Sequence, residues 1–402
     1  MLTVTEARER ILAHFSPAAT ETIPLAACVN RVLGVDIAAD HDHPPFDNSA
    51  VDGFAVRAED TPASRLRVVA DIPAGTSPTA TLKPGEAARI MTGAQLPEGA
   101  NAVIPVEDTD FKNRQAGTPA PETVSLDKKL KAGENVRARG MDIRTGEVVL
   151  QKGRTLKPQD LGLLAALGMA NVIVYKKPRA ALLSSGDELL PVEAPLEPGK
   201  IRDSNSYTIA ALIENAGADV LRLGVARDTR EAVTSLLDRA VSEGADLILS
   251  TAGVSVGAFD FIKEVIESNG RMDFWRVNMR PGKPLAFGKY RDVNFIGLPG
   301  NPVSAFVGFE VFVRPSLERM SGKMDGGRQT VRVRCAEEIE SDGRESYLRA
   351  KIRVEDGIRI ASLTGHQGSG NLLSLVQADA LLIIPAGVKC VPAGQEVDAF
   401  LL

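Results

Sequence analysis

Strand-like and helix-like runs alternate through residues 176–325, and this alternation constrains the fold more than any other feature of the chain. Each short apolar run that suits a buried strand is followed by a longer run with helical periodicity. Strands and helices that alternate in this way predict a doubly wound parallel sheet. The predicted strands are Arg179–Ser184, Asp219–Gly224, Asp246–Ser250 and Asp292–Gly297, and the predicted helices are Ser206–Ala216, Arg230–Glu243, Phe261–Ser268 and Val303–Met320.

The remaining residues predict three further domains. Short apolar pieces between Gly/Pro-rich turns indicate a small β domain inserted at 44–138. The segments on either side of it would together form a discontinuous mixed α/β domain. Short strands and turns return after the linker at 322–327 and indicate a C-terminal, small β-barrel-like domain. The predicted fold is an elongated multidomain chain of α/β plus β class, divided as 1–43 with 139–175, 44–138, 176–325 and 326–402.

The composition of the 402 residues excludes several classes of protein. A net charge of −5 and an aromatic content of 4% argue against a nucleic-acid-binding surface. Cys28, Cys335 and Cys390 lie far apart with no CxxC pair, so neither a disulfide framework nor a thiolate zinc site is predicted. The amino terminus lacks the apolar core of a signal peptide, and no apolar run is long enough to span a bilayer. We therefore expect a cytoplasmic protein without nucleic-acid or membrane partners.

A glycine-rich stretch follows the predicted strand Asp246–Ser250 and ends in an acid, Asp260. Gly253, Ser255 and Gly257 are small enough to let backbone N–H groups approach an anion, and a helix N-terminus just beyond adds a favourable dipole. An acid beside such a cradle indicates a phosphate-bearing substrate that is handled with a cation. The alternative is an ordinary strand-to-helix turn in which Asp260 caps the helix.

Two more loops at the carboxyl ends of predicted strands, Ser184–Glu188 and Leu298–Ser304, are rich in Gly, Pro and small polar residues. Open α/β sheets bind ligands at this edge, so three such loops in one domain favour a ligand cleft there. A fourth loop, Arg280–Pro284, is stiffened by two prolines and presents Lys283, which suits either an oxyanion site or a solvated turn. No Walker A or complete GxGxxG sequence occurs, which argues against a P-loop ATPase or a Rossmann dehydrogenase.

Further small polar and charged residues cluster outside this domain. Taken alone, each cluster is more typical of a simple turn than of a functional site. His41 and His43 form an HxH pair, but no nearby set of ligands completes a metal site, so a loop is predicted there. The other clusters are Asp47–Ala55, Ile90–Pro97, Arg137–Asp142 and Gly365–Gly370.

Together, the order and content of these motifs resemble the molybdopterin molybdenumtransferase family, the bacterial counterparts of the C-terminal domain of gephyrin. The resemblance runs over nearly the whole chain, and several of its motifs are highly specific. The motifs that carry it are Asp47–Ala55, Ile90–Pro97, Arg139–Ile143, Ser185–Leu189, Asp203–Asn205, Thr251–Asp260, Pro281–Pro284, Leu298–Ser304 and Gly368–Gly370.

The resemblance implies a homodimer of four-domain subunits in which the α/β region is the molybdopterin-binding domain. It implies an enzyme that inserts molybdenum from molybdate into adenylylated molybdopterin, releases AMP and uses Mg²⁺. It also implies transient contacts with other molybdenum-cofactor biosynthesis proteins and with apo-molybdoenzymes. The implied catalytic residues are Asp52, Asp142, Glu188, Asp228, Asp260 and Lys283, with Asp228 and Asp260 as metal ligands. The implied substrate-binding residues are Thr92, Ser185, Gly186, Gly253, Ser255, Gly257, Pro299, Gly300, Pro302 and Ser369.

Four residues depart from the family pattern: Ala252 where Gly is usual, Arg280 where Lys is usual, Met141 where an acid is usual, and Phe54 where Tyr is usual. We expect these changes to affect substrate affinity more than activity. Two other functions remain open, a molybdopterin adenylyltransferase that shares the α/β domain and a non-catalytic scaffold of the gephyrin type. The flanking domains and the motif Pro281–Pro284 argue against the first, and the retained acidic residues argue against the second.

Overall fold

The computed structural model describes residues 1–61, 65–112, 117–252, 261–323 and 327–402. These residues form two compact units. Within the described residues, the helices are all too short or too polar to cross a membrane. The larger unit consists of Met1–Val35, Gly153–Gly162 and Ala170–Leu402, and the smaller unit of Asp36–Lys152 and Leu163–Met169.

A six-stranded sheet forms the centre of the larger unit. The alternation of strands and helices predicted for 176–325 is present, but the sheet is parallel over only four of its strands. The last two strands pair antiparallel, because the connection between them at 277–283 is too short for a helical crossover. In order across the sheet, the strands are Asp219–Ala226, Arg179–Ser185, Leu247–Thr251, Val293–Leu298, Pro284–Tyr290 and Gly270–Arg276.

Both faces of this sheet are buried. Successive residues of each central strand point to opposite sides, so that Leu182 and Leu249 belong to one apolar core, while Leu183 and Ile248 belong to the other. Strands buried on both faces carry near-continuous apolar runs, which is why the sequence predicts them clearly. The helices that contribute to the first core are Val4–Leu12, Asn205–Asn215, Pro302–Gly308 and Arg314–Met320, with a π-helical turn at Phe309–Val313, and those of the second are Arg230–Ser242 and Phe261–Asn269.

The strand order creates a topological switch point inside the sheet. From the strand Arg179–Ser185 the chain first adds a strand on one side, and then continues on the other side with Leu247–Thr251. Connections that leave in opposite directions open a crevice at the carboxyl ends of two such strands, which is the usual position of ligands in open α/β sheets. Ser184 and Thr251 meet at this point, with their hydroxyl oxygens 2.9 Å apart.

The C-terminal part of the larger unit folds into a β-barrel. The barrel closes because Glu345–Glu355 pairs with both Ile358–Leu363 and Ala380–Ile384. Tyr347 and Leu381 of the barrel share an apolar core with the α/β sheet, so the two structures pack together. The remaining barrel strands are Thr330–Cys335 and Glu396–Leu401, with Met279–Arg280 added at one side, a short pair of Ile339–Glu340 with Cys390–Val391, and the helix Leu372–Val376.

The amino-terminal helix begins at a threonine cap. Thr3 caps the helix Val4–Leu12 through a capping box with Glu6. The strand Thr20–Pro24 then pairs antiparallel with Asn171–Tyr175, which joins two segments predicted to share one discontinuous domain. The four-domain boundaries themselves stay a prediction. The other elements here are the 3₁₀ turn Leu25–Ala27, the helix Pro158–Ala166 and the short parallel pair of Leu189–Leu190 with Ile201–Arg202.

The smaller unit contains a five-stranded sheet. Its strands coincide with the short apolar pieces of the predicted inserted β domain. Phe54 and Ile104 lie in one small apolar core, and Ala55 and Val103 lie in a second. In sheet order the strands are Ala102–Pro105, Gly53–Val56, Glu86–Ile90, Leu66–Ile72 and Thr123–Val124, with 3₁₀ turns at Ala58–Asp60 and Val106–Asp108 and short pairs of Asn48–Ser49 with Val136–Arg137 and Ile37–Ala38 with Val148–Leu150.

Candidate functional site

An open cleft of about 720 Å³ lies at the switch point of the larger unit. Glu188, Pro299, Gly300 and Pro302, all predicted as site residues, line this cleft. Gly370 lines it as well and comes from a turn of the C-terminal barrel segment. Thr251 and Pro284 line the cleft too, so residues from all five predicted loops meet around it.

A buried hydrogen-bond network joins the strand ends that line the cleft. The Ser184 hydroxyl donates to Oδ2 of Asp203 at 2.8 Å and also lies beside Thr251. Oδ1 of Asp203 accepts the Ser206 N–H at 3.0 Å, in the first turn of the helix Asn205–Asn215. Asp203 is only 8% exposed, so this pairing satisfies a carboxylate that would otherwise be costly to bury. The network ties two strands of the sheet to the start of one helix.

The loop after the fourth parallel strand is held from two sides. The Asn205 side-chain amide donates to the carbonyl of Gly300 at 2.7 Å, and the Ala252 N–H donates to the carbonyl of Leu298 at 3.1 Å. Ala252 has a φ of 70°, a conformation that favours glycine. A Cβ atom added at Gly300 would lie 3.3 Å from the Cβ of Ala252. The methyl group of Ala252 therefore occupies space beside Gly300 that a glycine would leave open.

Asp228 is fixed by the loop that follows the first strand of the domain. The Ser185 hydroxyl donates to Oδ1 of Asp228 at 3.0 Å, and the Asp187 N–H approaches Oδ2 at 3.3 Å. Gly186 has a φ of 145°, and a Cβ atom there would lie 2.5 Å from the carboxylate of Glu188. The positive φ and the close approach of the Glu188 carboxylate both favour glycine at this position of the loop.

Lys283 lies next to Pro284, a residue that lines the cleft, and its side chain is exposed. Its backbone is held because the carbonyl of Lys283 accepts the Val277 N–H at 3.0 Å. Arg280, on the same connection, pairs with Asp342 at 3.9 Å. The connection thus carries two cations on a restrained backbone, and one of them, Lys283, faces solvent.

A buried arginine holds the turn Gly365–Gly370. Arg349 is fully buried, and its guanidinium donates to the carbonyl oxygens of three consecutive residues of this turn at 3.0–3.3 Å. Burial lowers the pKa of Arg349 to about 10, and the charge of Arg280 acts in the same direction. This turn contacts the first turn of the helix Pro302–Gly308, because the carbonyl of Ser369 accepts the Val303 N–H at 3.1 Å.

In the smaller unit, Asp52 and Thr92 form a close pair. The backbone N–H and the hydroxyl of Thr92 both donate to Oδ1 of Asp52 at 2.7 Å. The side chain of Asp142 is exposed, and its N–H donates to the carbonyl of His43 at 3.0 Å. The structure thus brings two of the three predicted residues of this unit into direct contact.

Four predicted residues, Gly253, Ser255, Gly257 and Asp260, lie outside the residues that the structure describes. Within the described ranges, no group of three or more His, Cys, Asp or Glu side chains is arranged to hold a metal ion. The roles of Asp228 and Asp260 as metal ligands stay predictions.

The structure also places in the cleft four residues that were not among the predicted site residues: Arg202, which lies outside the motifs of the family resemblance, and Asp203, Asn205 and Thr251, which lie within them. The sequence does carry a signal for Asp203 and Asn205, because an Asp-Ser-Asn sequence before a helical run is typical of the start of a helix. Arg202 and the buried Arg349 have no comparable local signal, since an arginine within a strand is usually a solvent-exposed residue.

Comparison with known proteins identifies the family of the chain. Family models match the chain in three parts: the MoeA N-terminal region (domain I and II) at residues 2–168, a probable molybdopterin binding domain at 181–319, and the MoeA C-terminal region (domain IV) at 332–402. The molybdopterin molybdenumtransferase of Nostoc sp. is 37% identical over 94% of this chain and 88% of its own length. The chain belongs to the molybdopterin molybdenumtransferase family.

Further members of the molybdopterin molybdenumtransferase family are equally similar. The protein of that name from Haemophilus influenzae is 36% identical over 99% of this chain and 98% of its own length. The crystal structure of the molybdopterin biosynthesis moeA protein from Pyrococcus horikoshii OT3 aligns over 100% of both chains, with a TM-score of 0.82 and 33% identity. The resemblance inferred from the sequence motifs is confirmed.

Proposed function

We propose that this chain inserts molybdenum from molybdate into adenylylated molybdopterin and releases AMP. The observation that carries the proposal is the cleft at the switch point, in a chain that matches molybdopterin molybdenumtransferases over nearly its whole length. Polar side chains such as Asn205 and Ser304 line this cleft, which suits a large polar substrate. Its position at the carboxyl ends of parallel strands is the one that phosphate-bearing ligands commonly occupy.

The charged residues around the cleft suit the two parts of this reaction. Release of AMP consumes one water molecule, whose oxygen bonds to phosphorus as the P–O bond to AMP breaks, and the exposed carboxylate of Glu188 at the cleft can accept the proton that this water loses. Molybdate is a doubly charged oxyanion, and the exposed Lys283 next to the cleft supplies a positive charge for it. The hydroxyl of Ser369 is a further donor on the turn that Arg349 holds in place.

Mg²⁺ belongs to the proposal as a partner of the substrate phosphates. Proteins bind Mg²⁺ through one or two carboxylates together with phosphate oxygens and water, and seldom through a complete cage of side chains. Asp228 fits this requirement, because hydrogen bonds from Ser185 and Asp187 orient its carboxylate while each oxygen keeps a free lone pair. We propose Asp260 as the second ligand. When bound, the ion neutralises negative charge on the phosphate oxygens.

We further propose that the chain acts as a homodimer. The support is that the predicted functional residues are distributed from Asp52 to Ser369, and two-fold symmetry lets each subunit complete the site of the other. Heterodimers of Asp52→Ala and Asp260→Ala subunits test this, because a shared site should restore roughly one working site of two. A monomeric mass at micromolar concentration, or inactive heterodimers of verified composition, would rule out the shared site.

The function is tested by incubating the purified protein with adenylylated molybdopterin and measuring AMP. We expect AMP release only when molybdate and Mg²⁺ are both present, and none from the Asp260→Ala variant. An adenylyltransferase would instead consume ATP with molybdopterin and release pyrophosphate. Binding of adenylylated molybdopterin without any turnover would support a scaffold.

A further inference from the structure

Arg202 is the only cationic side chain among the described residues that line the cleft. The acidic side chains of Glu188 and Asp203 line it too. A substrate that carries phosphoryl groups is strongly negative, so binding beside two acids requires a counter-charge at close range. Arg202 is positioned to supply this charge.

The guanidinium of Arg202 keeps most of its donors available. In the described residues it makes one hydrogen bond, to the carbonyl of Ala194 at 3.1 Å, and no ion pair with a carboxylate. A guanidinium has five N–H donors in a planar fork, and this fork matches two oxygens of a phosphate group. The side chain is exposed, so a ligand in the cleft can reach the remaining donors.

The backbone on both sides of Arg202 is held firmly. On one side, the Ile201 N–H donates to the carbonyl of Glu188 at 2.8 Å. On the other side, the carboxylate of Asp203 is anchored in the buried network with Ser184. Arg202 therefore extends from a fixed point of the cleft wall, which reduces the ordering cost when it binds a ligand.

We propose that Arg202 binds a phosphoryl group of the substrate and sets the affinity of the cleft for it. This rests on the proposed function, because adenylylated molybdopterin supplies the phosphoryl groups. A contact made in both the bound substrate and the transition state acts mainly on KM. Arg202 is thus a substrate-binding residue in addition to those predicted from the sequence.

Arg222 offers a matched control. It is an exposed arginine of the same domain, and its guanidinium carbon lies 5.5 Å from the centre of the Tyr207 ring. Arg222 lines a smaller recess of about 210 Å³ and does not belong to the cleft lining. Neutralising Arg222 removes the same charge from the domain without removing a donor from the cleft.

The experiment compares wild type with Arg202→Gln, Arg202→Lys and Arg222→Gln. AMP release is measured against the concentration of adenylylated molybdopterin at saturating molybdate, and then against molybdate. We expect Arg202→Gln to raise KM for adenylylated molybdopterin about tenfold or more, with a smaller change in kcat, as for a lost hydrogen bond to a charged group. The KM of Arg202→Lys should lie between those of wild type and Arg202→Gln, because lysine keeps the positive charge but cannot bond two phosphate oxygens at once as a guanidinium does. Arg222→Gln should have the same KM and kcat as wild type.

Calorimetry with AMP, without turnover, locates the contact. Weaker AMP binding by Arg202→Gln assigns the contact to the adenylyl phosphate, whereas unchanged AMP binding with a raised KM assigns it to the phosphate of molybdopterin. An unchanged KM for adenylylated molybdopterin with unchanged AMP binding, or an increase only in KM for molybdate, would overturn the proposal. An inactive wild type refutes the proposed function, whereas an active wild type with an equally active Arg202→Gln refutes only the role of Arg202.

Discussion

Removal of the Asp203 carboxylate tests whether the buried network builds the cleft. Asp203 is 8% exposed and accepts hydrogen bonds from the Ser184 hydroxyl at 2.8 Å and the Ser206 N–H at 3.0 Å. Asp203→Ala leaves the helix N–H without its acceptor and leaves Ser184 with Thr251 as its side-chain partner. A lost helix cap costs about 1 kcal/mol, and a lost hydrogen bond to a charged group, here from Ser184 to the Asp203 carboxylate, costs about 1.5–3 kcal/mol. We therefore expect the free energy of unfolding to fall by about 2.5–4 kcal/mol.

Two variants calibrate this effect. Asp203→Asn keeps an oxygen for the Ser206 N–H and offers an amide donor to Ser184, so the expected loss is only about 1 kcal/mol. Ser204→Ala changes the exposed neighbouring residue, whose side chain makes no capping hydrogen bond. Its effect on the free energy of unfolding should stay below about 0.5 kcal/mol.

Urea unfolding of the three variants, followed by circular dichroism, gives the comparison. The free energy of unfolding should decrease in the order Ser204→Ala, Asp203→Asn, Asp203→Ala. KM for adenylylated molybdopterin should rise most in Asp203→Ala, because Asp203 holds the backbone between Arg202 and Asn205. If Asp203→Ala unfolds at the same urea concentration as Ser204→Ala, the network does not stabilise the cleft and the reasoning is refuted.

Glu310→Gln should lower the free energy of unfolding by about 3 kcal/mol in urea titrations, because it removes the carboxylate that pairs with Arg314 and Arg328 and leaves the buried Arg314 with Glu318, 3.7 Å away, as its counter-charge. Burial opposes ionisation of Glu310, but hydrogen bonds from two arginines outweigh it and hold the pKa of Glu310 below its usual value. This stabilisation is complete above the glutamate pKa of the unfolded chain and is lost as the pH falls through the folded pKa, so the difference between wild type and variant should shrink in acid. Thr92→Val should slow AMP release about tenfold, since the hydroxyl that orients Asp52 is lost, and an unchanged rate would contradict this role. Ala252→Gly should raise the free energy of unfolding by about 0.5 kcal/mol. At a φ of 70° alanine is strained, and the relief of this strain outweighs the conformational entropy that glycine loses on folding. A lower melting temperature of the variant would contradict this.

The local pattern of apolar and small residues in the sequence was sufficient to predict the strands and loops that position the cleft. The strands Arg179–Ser185 and Leu247–Thr251 are recognisable because burial on both faces requires apolar residues at their central positions. The small residues at Leu298–Ser304 predict a loop at the carboxyl end of a strand, and Pro299, Gly300 and Pro302 do line the cleft. These features depend on nearest neighbours in the chain, so they are visible in the sequence.

Other features depend on contacts between distant segments, and only the tertiary structure decided them. The antiparallel pair at the end of the sheet follows from the short connection at 277–283. The hydrophobic periodicity of a strand does not show whether it pairs parallel or antiparallel with its neighbour. Ser184 meets both Asp203 and Thr251 only after neighbouring strands and the start of one helix have packed, and Arg349 reaches the turn Gly365–Gly370 only inside the closed barrel. Side-chain partners such as these are set by long-range packing and burial, and a single sequence carries no local period that records them.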